Sequence, residues 1–220
     1  MNNPEVQAKV HAEIDSVLGS NRLATLEDTK EELPYFWAVI KEVMRAQIVS
    51  PVMAPHYASE EFTIGGKNGK PEFKIPIGTQ MFMNGWQMAR DPELWDRPEV
   101  FNPDRWFDAR NEGLDLYGKE KRLDPEHYKF MPFSIGQRMC PGYSFAKVSL
   151  WLQALTLMQC FEWGLSEKGI HDPRVKDGKL DMTENWGLTI MPQHYGSEGL
   201  IEVRPRPAAK LAKAQPGDLM

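Results

Sequence analysis

The chain has 220 residues, of which 41% are hydrophobic and 26% are charged, as in an ordinary globular protein rather than a disordered or fibrous one. A net charge of −5, without a long basic stripe, argues against a nucleic-acid partner. The two cysteines are too few for a disulfide framework, and neither a transmembrane run nor a signal peptide is predicted.

The first predicted helix runs from Pro4 to Leu18, with Asn3 as its N-cap and Gly19 at its end. A polar connector follows, in which Thr25 begins a short second pattern. Pro34 then starts an amphipathic helix that reaches about Arg45 or Gln47. Its predicted apolar stripe consists of Tyr35, Phe36, Val39, Ile40 and Val43.

The middle of the chain has the composition of short strands and turns. A small antiparallel sheet is predicted from the runs 61–64, 73–77 and 79–84, and a short helix from Gly85 to Ala89. Residues 91–107 are rich in proline and aromatic side chains, with little regular period. The highly charged stretch 108–129 is interpreted as a solvated excursion.

The last third begins with a helix predicted from Pro141 to about Met158. Short strands are expected at 161–165, 187–191 and 200–203, and the tail from Pro205 is expected to fray. One structured unit is therefore predicted over residues 1–204, followed by a frayed tail over 205–220. The predicted buried residues of the Pro141 helix are Phe145, Val148, Leu152, Leu155 and Leu157.

Cys140 lies in a glycine-flanked loop, 133–142, that leads directly into this last helix. The helix dipole and the unpaired backbone N–H groups at a helix start favour the thiolate, which is the form that binds metal. Gly136 and Gly142 have no β-carbon, so backbone or a flat cofactor can approach closely. For an arbitrary single cysteine, a buried and inert thiol is the commoner outcome.

The loop matches the pattern FxxGxRxCxG at every fixed position, through Phe133, Gly136, Arg138, Cys140 and Gly142. It resembles the haem loop of the cytochrome P450 family. The resemblance implies a mainly α-helical fold with small antiparallel β-sheets, namely the C-terminal portion of the cytochrome P450 fold. It also implies that the Cys140 thiolate is the proximal ligand of iron in haem b.

Glu42 and Arg45 lie three residues apart, hence on one helix face, which alone indicates only an exposed ion pair. In the family, such an ExxR helix pairs with an arginine of an FxPxRW segment, here residues 101–106. By that resemblance Glu42, Arg45 and Arg105 form a buried charged triad that is structural rather than catalytic.

Other cofactor contacts follow from the same resemblance. Arg138 matches the arginine that binds a haem propionate, and His56 falls where a second propionate contact is made, although an ordinary turn histidine is the alternative. Arg90 is a weaker candidate, because it equally suits a backbone cap. Phe133 is expected beside the sulfur, where it limits water access. Cys160 is interpreted as plain core.

The resemblance further implies a haem-thiolate monooxygenase that receives electrons from NADPH through a flavoprotein reductase. The segments 47–54 and 186–188 correspond to substrate borders, and their apolar residues suit an apolar small molecule, although core packing explains them equally well. A reductase is a candidate partner for the basic cluster of Lys119, Lys121, Arg122 and Lys129, for which a solvated charged loop is the alternative.

The resemblance covers nearly all of this chain but only about the C-terminal half of the family's fold. No segment matches the distal oxygen-activating helix, so no catalytic residue is assigned, and we expect a fragment that is inactive alone. A truncated gene product and a short protein completed by another chain both stay open. The alternative functions are a non-catalytic haem-binding or interaction module and, less well supported, a non-haem thiol enzyme. Intact relatives of this type are usually anchored in the endoplasmic reticulum membrane, whereas no anchor is expected here.

Overall fold

A computed structural model describes residues 2–28, 32–66, 71–108, 111, 114, 129–134, 136–177, 179–180, 184–185, 191–192 and 201–213. Its main helices are α1 (Pro4–Val17), α2 (Pro34–Ala46) and α4 (Tyr143–Cys160), and its short helices are α3 (Gly85–Met88) and α5 (Glu167–Ile170). Three 3₁₀ helices, Pro103–Phe107, Gly136–Arg138 and Pro207–Lys213, are also present in these ranges. The mainly helical class with small antiparallel sheets is confirmed.

The starts of α1 and α2 are set by proline, as the sequence predicts, but their capping differs from the prediction. Asn3 occupies the N-cap position of α1 without a side-chain capping bond. The first turn of α2 is capped from α1 instead, because Glu13 accepts hydrogen bonds from the backbone N–H groups of Tyr35 at 2.8 Å and Phe36 at 2.7 Å. This carboxylate satisfies two donors that no intrahelical partner reaches, and it joins the two helices.

The core lies between α1, α2 and α4. Its centre is aromatic, with Trp151 of α4 in edge-to-face contact with Phe36 and Trp37 of α2. Val10 and Ile14 of α1 are fully buried in the same cluster. Val43, which the sequence places on the apolar stripe of α2, is exposed, and Trp37 is buried in its place.

The buried face of α4 differs from the predicted one. Phe145 is 79% exposed, and Val148 and Leu157 are also exposed. Apolar residues occur all around this helix, so their period does not determine which face is covered. Within the described residues, the buried side chains of α4 are Trp151, Leu155, Gln159 and Cys160.

The described strands form five two-stranded antiparallel ribbons rather than one sheet. The predicted sheet at 53–84 is two ribbons, because its strands pair with different partners. Most of the strand predicted at 187–191 lies outside the described residues. The described part of this region contains the strand Met191–Pro192. The pairs are β1 (His56–Tyr57) with β4 (Gln80–Met81), β2 (Phe62–Gly65) with β3 (Glu72–Ile75), β5 (Phe161–Leu165) with β10 (Ile201–Pro205), β6 (Val175–Lys176) with β7 (Lys179–Leu180), and β8 (Glu184–Asn185) with β9 (Met191–Pro192).

The charged stretch 108–129 is not wholly a solvated excursion. Asn111 and Leu114 are buried, and Asn111 donates a hydrogen bond to the Arg105 carbonyl at 2.8 Å. Lys129 donates to the Asn111 side chain at 2.6 Å. The stretch is therefore attached to the core at these points, and 115–128 lie outside the described residues.

The chain does not fray directly after Pro205, contrary to the expectation for 205–220. Ala208 and Ala209 are buried, since their small side chains allow the 3₁₀ helix to pack closely on α4. Arg206 donates to the carbonyls of Met158 and Gln159, at 3.1 Å and 3.0 Å, and to the Asp15 carboxylate at 2.6 Å. It thus caps the end of α4 and ties it to α1. Residues 214–220 lie outside the described part.

None of the helices in the described ranges combines the length and the apolar content that crossing a membrane requires.

Candidate functional site

Cys140 sits in a tight loop immediately before α4. Its backbone N–H donates to the Phe133 carbonyl at 3.0 Å, which closes the loop, and its own carbonyl accepts from the Tyr143 N–H at 3.3 Å at the start of the helix. The thiol is free and exposed. Since an apolar loop residue ordinarily turns inward, a fixed backbone with an exposed sulfur is suited to ligand contact rather than to packing.

The two glycines of the loop have different roles. Gly136 has a φ of +76°, a left-handed conformation that side chains with a β-carbon adopt only with strain. Gly142 has an ordinary φ of −83°. A β-carbon built on Gly142 would lie 3.9 Å from the Cys140 Sγ atom. Gly136 is therefore needed for the turn, whereas Gly142 keeps space open beside the sulfur.

The structure places the remaining predicted cofactor contacts on separate elements. Arg138 is exposed on the one-turn 3₁₀ helix Gly136–Arg138 of the loop. His56 is half-buried on β1, and its Nδ1 donates to the Ala54 carbonyl at 2.9 Å, which leaves Nε2 as its second polar atom. Phe133 is half-buried and packs against the aromatic core.

Glu42, Arg45 and Arg105 come together and are all buried, with exposures of 0%, 1% and 7%. Arg45 forms a forked pair with the carboxylate, from Nε to Oε2 at 2.9 Å and from Nη2 to Oε1 at 2.8 Å. The Arg105 Nε donates to Oε1 at 3.1 Å. Such forked geometry lets a carboxylate keep its charge away from water.

Both guanidinium groups use their other donors on backbone carbonyls. Arg105 donates to the carbonyls of Asp96, Arg97 and Val100 at 2.7, 3.3 and 2.9 Å, so it holds the irregular stretch before the 3₁₀ helix Pro103–Phe107 in place. Arg45 donates to the Ala89 carbonyl at 2.7 Å, and its guanidinium carbon lies 5.6 Å from the Trp95 ring centroid. The triad thus fastens the backbone at Ala89 and the stretch 96–100 to α2.

Two donors to Glu42 were not predicted from the sequence. The Trp106 indole N–H donates to Oε2 at 3.1 Å, and the Asn102 backbone N–H donates to Oε1 at 2.9 Å. Both residues belong to the segment 101–106 that supplies Arg105. This proximity in sequence is the one feature that could have indicated their bonds to Glu42.

Arg90 is occupied by a local cap, the alternative that the sequence leaves open. Its Nη2 donates at 2.7 Å to the carbonyl of Ala46, the last residue of α2, and its guanidinium carbon lies 4.3 Å from the Trp86 ring centroid. We therefore assign Arg90 no role in cofactor binding.

Several predicted contacts fall outside the described residues. These are the substrate border 186–188 and the basic residues Lys119, Lys121 and Arg122. Lys129 of the same basic cluster is described, and its ammonium lies 4.8 Å from the Trp95 ring centroid. Ile48 is buried, whereas Val49 and Val52 are exposed. Among the residues that the structure describes, no three His, Cys, Asp or Glu side chains form a metal-binding group.

Comparison with known proteins agrees with this arrangement. The sequence profile described as "Cytochrome P450" matches residues 1–186. A zebra fish cytochrome P450 solved with abiraterone superposes with a TM-score of 0.71 at 30% identity, covering 94% of this chain and 42% of that one. The chain belongs to the cytochrome P450 family.

Named relatives come from animals and plants. Human cytochrome P450 2U1 is 38% identical over 194 residues, which cover 88% of this chain and 31% of the relative. The soybean (Glycine max) 2-hydroxyisoflavanone synthase is 36% identical over 200 residues, covering 88% of this chain and 35% of that protein. The chain therefore spans about a third of the length of the curated relatives that it matches.

Proposed function

We propose that this chain carries the proximal haem site of a haem-thiolate monooxygenase, with the Cys140 thiolate as the iron ligand. The observation that carries the proposal is the exposed, free thiol of Cys140, held by its backbone bond to Phe133 at the start of α4. Membership of the cytochrome P450 family supports the same ligand chemistry.

The described residues fit haem in three respects. The thiol has no disulfide partner, so it is available to iron. The absence of a β-carbon at Gly142 leaves the sulfur approachable by a flat macrocycle. The exposed guanidinium of Arg138 supplies donors for one propionate, which needs partners to stay ionised beside an apolar pocket. Because Nδ1–H of His56 donates to the Ala54 carbonyl, its Nε2 serves as a donor to the second propionate in the doubly protonated form of the ring.

The role proposed for the Glu42, Arg45 and Arg105 triad is to hold the cysteine loop in position. Trp106, which donates to Glu42, packs on Phe130 with 4.7 Å between ring centroids. Phe130 immediately precedes the segment that turns into the Cys140 loop and lies in the aromatic core. A continuous set of contacts therefore leads from the triad to the loop, so a change at the triad shifts the thiol without touching it.

When bound, thiolate-ligated haem supplies the activation of dioxygen. The residues of this chain bind and orient that group: Cys140 donates electron density to the iron, and Phe133 limits access of water to the sulfur. The exposed Val49 and Val52 offer apolar surface within the predicted substrate border 47–54. The substrate class that we propose is an apolar small molecule, with electrons supplied from NADPH through a flavoprotein reductase. No described residue is assigned to proton delivery.

A haem-binding module without oxygen insertion is the second candidate. It is favoured by the fact that every role assigned to the described residues is a binding role, with Cys140 as the iron ligand and no described residue assigned to proton delivery. The two candidates share the Cys140 ligand and differ in turnover.

Haem reconstitution of the purified chain tests both candidates. Bound haem, reduced and exposed to carbon monoxide, is expected to give the long-wavelength Soret band of thiolate ligation. Cys140→Ser is expected to remove that band, whereas Cys160→Ala, the control at a fully buried cysteine, retains it. A band that is equal in Cys140→Ser would contradict the assignment. Turnover with a reductase and an apolar substrate favours the monooxygenase, and the band without turnover favours the module.

Docking of an acidic reductase surface is tested through its salt dependence. Electron transfer from the reductase is expected to slow as ionic strength rises, because screening weakens attraction between exposed charges beyond the Debye length, about 10 Å at 0.1 M salt. A rate that does not change with salt would remove the support for this partner.

A further inference from the structure

An apolar cleft lies where the first turn of α1, the middle of α2, the end of α4 and the β5–β10 ribbon meet. Its volume is about 320 Å³. We propose that it is a second binding site, which takes a small, neutral, largely apolar molecule carrying a single hydrogen-bonding group. Its walls are formed by Asn2, Asn3, Val6, Gln7, Val10, Val39, Phe101, Met158, Trp163 and Ile201.

The cleft is distinct from the Cys140 loop. Met158 lines it near the end of α4, whereas the loop leads into the same helix at Tyr143. Fifteen residues of α-helix separate these two positions, which corresponds to about 22 Å along the axis. A ligand in the cleft therefore does not touch the thiol, and its binding does not depend on haem.

One wall is the apolar face of the β5–β10 ribbon. Trp163 pairs with Val203, and Leu165 pairs with Ile201. Directly paired residues share a face, and so do residues two apart, so these four side chains point to the same side. The other face carries Glu162, Gly164, Glu202 and Arg204. The uncharged face thus lines the cleft through Trp163 and Ile201, and the charged residues lie on the opposite face of the ribbon.

The polar groups around the cleft are nearly all used. The Gln7 side chain donates to the Trp163 carbonyl at 3.1 Å and accepts from the Trp163 N–H at 2.9 Å, so it presents its aliphatic part to the cleft. Asn3 makes no capping bond with α1. Its amide therefore offers an NH2 donor group and a carbonyl acceptor at the rim.

These walls select against charge. None of the ten lining residues is ionisable. An ionised ligand would leave water without a counter-charge in the cleft, which costs more than its apolar contacts return. The volume lies at the lower end of the range of small-molecule sites, about 300 to 1,000 Å³, and suits a molecule of up to three aromatic rings with one hydroxyl, ketone or aromatic amine group facing Asn3.

A matched pair of fluorescent probes tests the proposal on the 220-residue chain without haem. N-phenylnaphthylamine is neutral and has one amine, and anilinonaphthalene sulfonate carries the same rings with a permanent negative charge. We expect saturable binding of the neutral probe and binding of the anionic probe weaker by about tenfold or more, equivalent to about 1.4 kcal/mol. Equal affinity for the two probes would overturn the proposal, because it would indicate a nonspecific apolar surface.

Cleft-filling variants locate the site. Val6→Phe fills it from α1 and Ile201→Phe from the ribbon, and both residues are half-buried at its wall. Each variant is expected to weaken binding of the neutral probe by about tenfold. Val148→Phe, the same enlargement at an exposed position of α4, is the control and is expected to leave affinity unchanged.

The remaining outcomes also decide the question. Because the two filling variants belong to different elements, misfolding of one, detected by circular dichroism, leaves the other as the test. Retained affinity in a folded filling variant, or equal loss in Val148→Phe, would overturn the proposal. If a longer form of the protein excludes the probe from the cleft, polypeptide is its occupant and the small-molecule assignment is wrong.

Discussion

The Trp106 indole N–H donates to the Glu42 carboxylate across 64 residues of sequence, at 3.1 Å and away from water. With the bonds from Arg45, Arg105 and Asn102, this carboxylate accepts five hydrogen bonds. Because α2 and the segment 101–106 contribute both cations and both neutral donors, neither element presents a satisfied polar surface without the other.

Glu42→Gln is expected to reduce the free energy of unfolding by about 3 to 5 kcal/mol, because both guanidinium groups then stay buried without a counter-charge. Urea unfolding followed by circular dichroism measures the loss. Glu61→Gln is the matched control, since Glu61 pairs with Lys74 on an exposed ribbon, and it is expected to change stability by less than about 1 kcal/mol. A similar loss of unfolding free energy in the two variants would show that the buried triad stabilises the fold no more than an exposed ion pair does.

The triad and the Cys140 loop could be predicted from sequence, because each depends on a few side chains in a short motif with fixed spacing. The buried face of α4 could not be predicted. Apolar residues surround this helix, and only contact with α2 and with the polar connector selects the face that carries Trp151 and Gln159. The helix caps made by Glu13 and Arg206 could not be predicted from sequence either, since each joins elements that are distant in sequence.

Arg105→Leu is expected to abolish haem incorporation in reconstitution, although Arg105 does not line the thiol. Loss of its three bonds to the carbonyls of Asp96, Arg97 and Val100 frees the stretch that packs Trp106 against Phe130. The measurement is the carbon monoxide difference spectrum after reconstitution. A normal thiolate spectrum in this variant would contradict the structural role of the triad.

The two loop glycines provide a paired test. Gly136→Ala is expected to cost about 1 to 2 kcal/mol of stability, because alanine is strained at a φ of +76° even though no atom of the described residues lies within 4 Å of the added β-carbon. Gly142→Ala is expected to leave unfolding nearly unchanged and to reduce haem uptake, because its methyl group would lie 3.9 Å from the Cys140 sulfur. Thermal unfolding and haem titration of both variants measure these effects. The reverse assignment of the two effects would refute the proposed division of roles.

Gln159→Leu is expected to destabilise the protein by about 1 to 3 kcal/mol, despite being a polar-to-apolar change in the core. The Gln159 amide accepts from the Ala24 N–H at 2.9 Å and donates to the Arg22 carbonyl at 2.8 Å, so leucine leaves both groups unsatisfied. Gln153→Leu, six residues earlier on the exposed side of α4, is the control. Urea unfolding measures the free energy of unfolding of both variants. A loss in Gln159→Leu alone shows that the hydrogen bonds to the connector stabilise the fold, whereas an equal loss in both shows a general effect of leucine.

Asp28 is expected to make stability fall in acid. Its hydrogen bonds from the Arg22 guanidinium, and then from the Thr25 backbone N–H, lower its pKa from the ordinary 3.8 to about 2, which outweighs the opposing effect of burial. Between about pH 2 and 4, the Asp28 carboxylate therefore stays ionised in the folded state, whereas it becomes protonated in the unfolded state. The resulting stabilisation is fully present above about pH 4 and disappears as the pH falls toward 2.

Asp28→Asn is expected to reduce the free energy of unfolding by about 2 kcal/mol at pH 7 and by about half as much at pH 3. Urea unfolding at the two pH values, with the wild-type chain beside the variant, measures the difference. The direction of the pH dependence is the decisive part, because loss of packing alone would lower stability equally at both pH values. A penalty that is larger at pH 3 than at pH 7 would mean that the Arg22 pair does not hold the carboxylate in its ionised form.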